Sequence, residues 1–260
     1  AQVPAIDRAQ RGDHVVVHRQ PHSRFAESFR TLRTAVAQSA ATARGQTHTV
    51  RSNGGASHSP APVILIASPE PGDGKTTCAV NLAAAFAEAG KRVLVIDADF
   101  RNPRAHAMLR PASSATLADA LWPASRPPSQ EPSASLDFAA LVSPTELLGL
   151  GLLRAADASS VVVNPSRLLL AVNAAVEWGA RHYDVVIVDT AALLSVNDAS
   201  ELLQVADVVV LVVRSGSTTR EVAAQASELL HRLGAAAVGS VLNEAAVSAP
   251  SRRSDFARAH

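Results

Sequence analysis

Residues 68–77 read Ser-Pro-Glu-Pro-Gly-Asp-Gly-Lys-Thr-Thr, and the fold of the chain can be worked out from this stretch. An apolar run at 63–67 precedes it, and a helical pattern follows it. A strand, a glycine-bearing loop that ends in Gly-Lys-Thr and a helix together predict a phosphate-binding loop. Gly72 and Gly74 have no Cβ, so the loop can curl and aim its N–H groups inward. The first turn of the helix adds unpaired N–H groups and the positive end of a dipole.

The loop also contains the side chains that a bound nucleotide requires. Lys75 can reach the β- and γ-phosphates, and the Thr76 hydroxyl can bind Mg²⁺. Pro69 stands where the strict motif has glycine, and this position cannot donate an N–H to a phosphate. A chance Gly-Lys-Thr in a loop is the alternative, but the flanking strand and helix favour phosphate binding. The predicted nucleotide contacts are Gly72, Asp73, Gly74, Lys75, Thr76 and Thr77.

Composition limits the classes of protein to which the chain can belong. Its 260 residues fit one α/β domain or two small ones, and its hydrophobic content of 47% allows a large core. The net charge of +1 argues against a nucleic-acid partner, and the single cysteine excludes an internal disulfide framework. The longest strongly apolar run, 208–213, is too short to span a bilayer, and the amino terminus has no signal-peptide pattern. We therefore expect a cytoplasmic protein.

Strand-like and helix-like runs alternate along most of the chain. The strand-like runs are continuously apolar, which is typical of strands buried on both faces of a parallel sheet. Alternation with helices indicates a doubly wound α/β fold, with a mostly parallel sheet covered by helices on both faces, as in P-loop NTPases. Strands are predicted at 63–67, 93–97, 136–142, 185–189, 208–213 and 236–242. Helices are predicted at 75–90, 165–181, 198–205 and 218–233.

The chain is predicted to divide into three segments. Residues 1–62 contain an amphipathic helix at 23–38 and then a loose linker at 39–62, whose Ala, Ser, Thr, Gly and Pro content cannot bury much surface. Residues 63–244 form the P-loop domain, and residues 245–260 form a polar, disordered tail. The apolar stripe of the helix consists of Phe25, Phe29, Leu32 and Val36.

Aspartates end two of the apolar strands. Asp97 follows the run at 93–96, and Asp189 follows the run at 185–188. Ligands of open parallel sheets bind at the carboxyl ends of strands, and a buried carboxylate needs a partner, which Mg²⁺ with a nucleotide supplies. Asp97 and Asp189 are therefore candidate Mg²⁺ ligands, and Asp99 is placed to accept a proton from an attacking hydroxyl. The alternative is that these aspartates cap helices or turns.

These motifs resemble those of the bacterial tyrosine kinases of capsule and exopolysaccharide synthesis, over most of residues 22–243. The phosphate-binding loop is similar to the first Walker motif of that family, which tolerates a start without glycine. Residues 97–101, Asp-Ala-Asp-Phe-Arg, resemble the second motif, and Asp189-Thr190 resembles the third. A family pattern of Glu-x-x-Arg-x-x-Arg on a helix is matched by Glu27, Arg30 and Arg33.

The resemblance implies an activity and its cofactors. It implies an ATP-dependent protein tyrosine kinase that transfers the γ-phosphoryl group to tyrosine and regulates exopolysaccharide or capsule synthesis and export, with ATP and Mg²⁺ as cofactors. Asn243 resembles a position that contacts adenine in related ATPases, and a turn residue is the alternative there. The implied catalytic residues are Lys75, Asp97 and Asp99, and the implied metal ligands are Thr76, Asp97 and Asp189.

Partners and location follow from the same resemblance. It implies a homo-oligomer that assembles through the helix of Glu27, Arg30 and Arg33. It also implies a membrane-embedded polysaccharide co-polymerase as activator and a protein tyrosine as substrate. The expected location is the cytoplasm, at the inner face of the bacterial membrane.

Two departures from the family pattern leave other functions open. The tail at 245–260 has no tyrosine cluster, the only tyrosine is Tyr183, and Ala191 replaces a common proline of the third motif. One alternative is a P-loop ATPase switch of the partition or septum-positioning type, but those ATPases have a lysine where this chain has Glu70. The other alternative is a nucleotide-binding assembly subunit of a polysaccharide export complex.

Overall fold

The structure is a computed structural model that describes residues 1–5, 15–48, 60–122, 136–157, 164–195 and 198–246. Its strands are β1 (Gln2–Pro4), β2 (Val63–Ala67), β3 (Val93–Asp97), β4 (Ser143–Pro144), β5 (Leu150–Arg154), β6 (Val185–Asp189), β7 (Val208–Arg214) and β8 (Val238–Ala245). Its helices are α1 (Val16–Arg19), α2 (Arg24–His48), α3 (Lys75–Glu88), α4 (Ala105–Leu109), α5 (Leu117–Leu121), α6 (Phe138–Leu141), α7 (Pro165–His182), α8 (Asp198–Glu201) and α9 (Arg220–Arg232). A 3-10 turn at Leu202–Val205 follows α8.

Within these residues the strands form one sheet in the order β1-β8-β7-β2-β6-β3-β5-β4. Every neighbouring pair is parallel except β4 with β5. Strands β2, β3 and β6 are buried along their whole length, which explains their unbroken apolar sequences. The prediction of a doubly wound, mostly parallel α/β fold is confirmed.

Helices cover both faces of the sheet, and each face has its own apolar core. Ile64 and Ile66 of β2 pack on the face covered by α2 and α3, whereas Leu65 packs on the face covered by α7 and α9. This division follows from the alternation of side chains along a strand. Since parallel strands run in one direction, the loops at their carboxyl ends all gather at one edge of the sheet.

The prediction of a strand at 136–142 is wrong. Phe138–Leu141 forms α6, and the strand that lies next to β3 on the side away from β6 is Leu150–Arg154. Asp137 caps the helix, since its Oδ1 accepts the Ala140 N–H at 3.2 Å. A capping aspartate before four residues favours a turn of helix over a strand, and this local signal decides the conformation.

The amino-terminal segment is more ordered than its sequence suggested. Helix α2 continues to His48, ten residues beyond the predicted end at 38, so the first part of the predicted linker is helical. Its later residues, 49–59, lie outside the described part of the chain. The alanine content of this part, with Ala40 buried, favours continuation of the helix. Strand β1, which the sequence did not indicate, pairs with β8.

The carboxyl-terminal strand also extends past its predicted end, to Ala245. The rest of the predicted tail, 247–260, lies outside the described residues. None of the helices in the described ranges is long and apolar enough to cross a lipid bilayer.

Helix α7 contacts the sheet closely at Gly179, and this contact can be tested. A Cβ at Gly179 would lie 2.6 Å from Cδ2 of Leu94 and 3.2 Å from Cγ2 of Val186. We expect Gly179→Ala to lower the free energy of unfolding by about 1–3 kcal/mol, as measured by urea denaturation, because the buried neighbours must shift.

Gly45 in α2 provides the matched control, because a Cβ there would meet nothing within 4 Å. Gly45→Ala should raise the free energy of unfolding by roughly 0.5–1 kcal/mol through helix propensity alone. Equal effects of the two substitutions would show that α7 does not pack on the sheet as closely as described.

Candidate nucleotide site

The phosphate-binding loop joins β2 to α3 and has the backbone that its glycines permit. Gly72 and Gly74 have φ values of 90° and 99°, which L side chains rarely adopt. Gly74 is the residue before the first turn of α3, and its carbonyl accepts the Cys78 N–H at 2.9 Å. A Cβ at Gly74 would also collide with the side-chain amide of Asn243. Gly74 is therefore required both for its φ and for the close approach of β8.

Hydrogen bonds from several elements hold the loop in this shape. Asp73 is buried, and its carboxylate accepts the Thr218 hydroxyl at 2.8 Å and the Glu70 N–H at 3.0 Å. The Asn243 side-chain amide donates to the Asp73 carbonyl at 2.9 Å. The Asp73 side chain therefore stabilises the loop internally, and Asp73 can bind a phosphate only through its main-chain N–H.

A salt bridge between β7 and β8 supports the same loop. Arg214 contacts Glu244 at 2.8 and 2.9 Å, and its Nη1 donates to the Gly72 carbonyl at 3.4 Å. Arg214 and Thr218 were missed in the sequence analysis, because a lone arginine or threonine after an apolar strand has no motif. The parallel pairing of β7 with β2 and with β8 brings these side chains under the loop.

A cavity of about 540 Å³ lies in front of the loop. One wall consists of the loop and the start of α3, with Gly72, Gly74, Lys75, Thr76 and Thr77. The rest of the lining comes from the segment after β3, with Asp99, Arg101, Asn102 and Arg104, and from Ala191, Ala192 and Ser195 after β6. The structure thus brings Asp99 into the same cavity as most of the predicted nucleotide residues.

Asp189 lies at the end of β6, behind Lys75 and Thr76. It is fully buried, and within the described chain neither of its carboxylate oxygens has a hydrogen-bond partner of standard geometry. Burial raises the pKa of Asp189 to about 7, while the nearby Thr76 hydroxyl and the Lys75 ammonium act in the opposite direction. Such a carboxylate is costly when ionised, and a cation next to it would remove that cost.

Asp97 lies beside Asp189, since the two residues are register partners on β3 and β6. Its Oδ2 accepts the Ala105 N–H at 3.0 Å, whereas its buried Oδ1 has no partner among the described residues. Burial, followed by the charge of Asp189, raises the pKa of Asp97 well above its ordinary value. The two carboxylates therefore share a strong preference for a positive neighbour.

Arg154 was also missed in the sequence analysis. It is the register partner of Asp97 on β5 and is buried, with Nη2 at 2.9 Å from Oδ2 of Asp157. Its Nη1 donates to the Ser114 carbonyl at 3.2 Å. The guanidinium lowers the pKa of Asp97, but burial has the larger, opposite effect. An arginine that ends an apolar strand gave no signal without the knowledge that β5 adjoins β3.

The residues present fit Mg²⁺ with a nucleotide better than a metal held by protein side chains alone. No group of three or more His, Cys, Asp or Glu residues that could hold a metal is found in the described ranges. Mg²⁺ is commonly bound by one or two carboxylates plus phosphate and water oxygens. The unpartnered oxygens of Asp97 and Asp189, with the Thr76 hydroxyl nearby, match that donor set.

The remaining predicted residues lie at the edges of the site. Asp99 is partly exposed, and its Oδ1 accepts the Asn102 N–H at 3.1 Å. Asn243 does not line the cavity but contacts the loop, so its adenine contact stays a prediction. Cys78 is buried, and burial raises the pKa of its thiol to about 12, which fits a packing role rather than a nucleophile.

The burial of Asp189 predicts a pH-dependent stability. The pKa of Asp189 is about 7 in the folded state, against an ordinary value of 3.8. The free energy of unfolding should therefore fall as pH rises between these values, because the unfolded carboxyl ionises first. Asp189→Asn removes this ionisation. The nucleotide-free variant should melt above the wild type at pH 8, with a smaller difference at pH 5, as measured by calorimetry.

Asp184 serves as a control with the opposite sign. The backbone N–H and the guanidinium of Arg92 lower its pKa, so Asp184→Asn should slightly lower the melting temperature at pH 8. A melting temperature of Asp189→Asn below that of the wild type at pH 8 would contradict the unfavourable burial of Asp189.

Comparison with known proteins agrees with this geometry. The family AAA_31, described as an AAA domain, matches residues 61–236. The chain is 31% identical over 237 residues to tyrosine-protein kinase YwqD of Bacillus subtilis (strain 168). The matched residues make up 88% of this chain and 85% of that protein. It is 31% identical over 257 residues to succinoglycan biosynthesis transport protein ExoP of Rhizobium meliloti (strain 1021). The matched residues make up 95% of this chain but only 28% of ExoP.

Solved structures show the same relationship. The BceF tyrosine kinase domain superposes with a TM-score of 0.69 at 29% identity, over 90% of this chain and 84% of that domain. The septum site-determining protein MinD of Pyrococcus horikoshii OT3, solved with Mg-ADP, has a TM-score of 0.56 at 21% identity, over 70% of each chain, and shows the fold alone. On its motifs, its fold and these similarities, the chain belongs to the bacterial tyrosine-protein kinase family of P-loop AAA-domain proteins.

Proposed function

We propose that the chain is an ATP-dependent protein tyrosine kinase that transfers the γ-phosphoryl group to a tyrosine of a protein. We further propose that this activity regulates exopolysaccharide or capsule synthesis and export. One observation carries the proposal. Asp97 and Asp189 lie buried behind the phosphate-binding loop, and three of their four carboxylate oxygens accept no hydrogen bond of standard geometry from the described residues. A third carboxylate, Asp99, lines the cavity in front of the loop. The names of the relatives support the same activity.

The proposed nucleotide-binding role belongs to the loop and to α3. The N–H groups of the loop and the positive end of the α3 dipole would bind the phosphates of ATP. Lys75 would neutralise the β- and γ-phosphates. Thr76, Asp97 and Asp189 would hold Mg²⁺, which supplies charge neutralisation to the transferring phosphoryl group.

The proposed transfer step needs a group that receives the proton of the acceptor tyrosine. Asp99 is the carboxylate that lines the cavity, and its partial exposure leaves it accessible from the acceptor side. As the hydroxyl oxygen bonds to the γ-phosphorus and the bond to the β-phosphate oxygen breaks, the Asp99 carboxylate takes the phenolic proton. Asp97 and Asp189, buried behind the loop, cannot meet an incoming protein.

The acceptor in this proposal is not Tyr183. This residue directly follows α7 and precedes β6, so it lies at the amino end of β6, whereas the nucleotide site lies at the carboxyl ends of the strands. It is also half-buried, and burial raises the pKa of its hydroxyl. Since Tyr183 is the one tyrosine of these 260 residues, the proposed acceptor tyrosine lies outside them.

An ATP-driven assembly subunit of a polysaccharide export complex is the second candidate. The observation that favours it is the direct contact between α2, which contains the Glu-x-x-Arg-x-x-Arg pattern, and α3, which begins at the phosphate-binding loop. A partition-type ATPase is less favoured. Glu70 stands in place of the lysine of those proteins, and its side chain is exposed.

The kinase proposal is tested with two substitutions and one control. Lys75→Met should abolish Mg·ATP binding by calorimetry, because the phosphates lose their cation. Asp99→Asn should leave Mg·ATP binding unchanged while it lowers phosphotyrosine formation on an added tyrosine protein about 10²-fold or more, by mass spectrometry. Lys91→Met, at an exposed lysine beyond the end of α3, should change neither.

Two outcomes would contradict these assignments. Wild-type affinity for Mg·ATP in Lys75→Met would remove the nucleotide site from the loop. An equal loss of binding and transfer in Asp99→Asn would make Asp99 a metal ligand instead of a proton acceptor. ATP hydrolysis without phosphotyrosine on any protein would favour the assembly subunit.

The proposed partners are further copies of the chain and a membrane-embedded polysaccharide co-polymerase, at the cytoplasmic face of the membrane. The homo-oligomer would form through Glu27, Arg30 and Arg33. Two of these residues already contact α3. Arg30 binds Glu88 of α3 through two hydrogen bonds of 2.6 and 2.8 Å, and Arg33 donates to the Ala85 carbonyl at 2.9 Å.

These contacts give Arg30 and Glu27 different roles. The two guanidiniums lie at the carboxyl end of α3, where positive charge is favourable, and Arg30 lowers the pKa of Glu88. The Glu27 side chain is 69% exposed and pairs with Arg30 at 3.2 Å. We therefore assign Arg30 mainly to the fold and Glu27 to contact with a neighbouring copy.

This assignment predicts separate effects on stability and assembly. Glu27→Ala should reduce the oligomer size in Mg·ATP, by light scattering, and change the melting temperature little, because an exposed ion pair contributes about 1 kcal/mol or less. Arg30→Ala should lower the melting temperature.

Glu228→Ala, at an exposed glutamate of α9, should change neither quantity. Unchanged oligomers in Glu27→Ala would contradict the proposed interface.

A further inference from the structure

Positive charge lines the same cavity as the phosphate-binding loop. Besides Lys75, the cations that line the described part of the cavity are Arg101 and Arg104, and the carboxylate that lines it is Asp99. Both arginines are exposed, as is Asn102 between them. Because Lys75 serves the phosphates in the proposed function, Arg101, Arg104 and Asp99 are the other charged side chains of the described lining that an acceptor can meet.

The segment that carries these arginines is fixed at both of its ends. At its start the Ala98 N–H donates to the Asp189 carbonyl at 2.8 Å. At its end the Ala105 N–H donates to Asp97 Oδ2 at 3.0 Å. Between them the Asn102 N–H donates to both the carbonyl and Oδ1 of Asp99, at 3.2 and 3.1 Å. The positions of the arginines are therefore tied to those of the three carboxylates of the site.

Contacts within the segment also orient the two side chains. The Arg101 Cζ lies 5.6 Å from the ring centroid of Phe100, a cation–π arrangement. The Nε of Arg104 lies 3.4 Å from Oδ1 of Asn102. Guanidiniums held in this way lose less side-chain entropy on binding a ligand than freely rotating ones do. Their planar pairs of N–H donors also match the two oxygens of a carboxylate.

The path of an acceptor follows from this arrangement. In the proposed function, a tyrosine that reaches the γ-phosphate places its hydroxyl next to Asp99, and Arg101 and Arg104 line the same cavity two and five residues further along the chain. The residues that flank the tyrosine then lie next to the two arginines. An acidic neighbour would gain charge-assisted hydrogen bonds there, whereas a basic neighbour would be repelled.

We infer that the acceptor is a tyrosine with aspartate or glutamate within a few residues of it, and that Arg101 and Arg104 bind this acidic flank. This inference rests on the proposed kinase function and names the substrate class of the same site. The competing role for the arginines is binding of the nucleotide phosphates, and the experiment separates the two.

The test uses two tyrosine peptides that differ only in their flanking residues, glutamate in one and glutamine in the other. With the full chain and Mg·ATP, we expect a kcat/KM ratio of glutamate to glutamine peptide of about fivefold, as expected for exposed charge pairs. The ratio should fall as salt is added. Arg104→Ala and Arg101→Ala should each bring the ratio close to one, and Arg104→Lys should keep part of it.

Arg92→Ala is the matched control. Arg92 precedes β3, at the opposite edge of the sheet, and pairs with Asp184 at 3.0 Å. Its removal should leave the ratio at the wild-type value.

Two further outcomes would contradict the acidic flank without contradicting the kinase function. Equal phosphorylation of both peptides by the wild type would overturn the inference and leave the kinase in place. An unchanged ratio in Arg104→Ala with a raised KM for ATP would assign this arginine to the nucleotide and overturn the inference.

Binding is measured in parallel, by fluorescence anisotropy with Mg²⁺ and a non-hydrolysable ATP analogue. Tighter binding of the glutamate peptide without transfer to either peptide would support the acidic-flank surface while contradicting the kinase function. Equal affinity for both peptides would contradict the surface itself.

Discussion

Asp97 and Asp189 lie side by side at the ends of two adjacent parallel strands, and both are buried. Three of their four oxygens have no hydrogen-bond partner in the described chain, and burial raises the pKa of both residues. Two carboxylates in this position oppose folding unless they are protonated or lie next to a cation. The parallel order of β3 and β6 imposes their proximity. The affinity that we propose for a metal-bound nucleotide therefore arises from an unfavourable burial that the sheet maintains.

The phosphate-binding loop depends on residues that lie far from it in the sequence. Asn243 and Thr218 bond to Asp73, and the salt bridge of Arg214 with Glu244 reaches the Gly72 carbonyl. These contacts exist because β7 lies next to β2 and β8 lies next to β7. The glycines allow the loop to take its shape, and the neighbouring strands select that shape. The loop is therefore a tertiary feature, although its motif is local.

Helix α3 connects the nucleotide site to the face proposed for assembly. Its first turn follows Gly74, and its last turn receives Arg30 and Arg33 of α2. The same helix therefore contacts both the nucleotide site and α2. The kinase and assembly proposals are therefore compatible, since both use the two ends of one helix.

The sequence by itself determined the class of fold and the position of the loop, and it singled out Asp97, Asp99 and Asp189 as the carboxylates of the candidate site. Unbroken apolar runs mark strands buried on both faces, and Gly-Lys-Thr after such a run marks a phosphate-binding loop, because these signals come from neighbouring residues. It was wrong at 136–142, where the capping of α6 by Asp137 outweighed the apolar run, and it gave no sign of β1 or of a helix continuing to His48. It also missed Arg154, Thr218 and Arg214, and it gave no sign that the Asp73 side chain holds the loop through Thr218. Apart from the local capping of α6, only the tertiary structure decided these points, because the order of strands in a sheet sets which distant side chains meet, and that order depends on packing between elements far apart in the sequence.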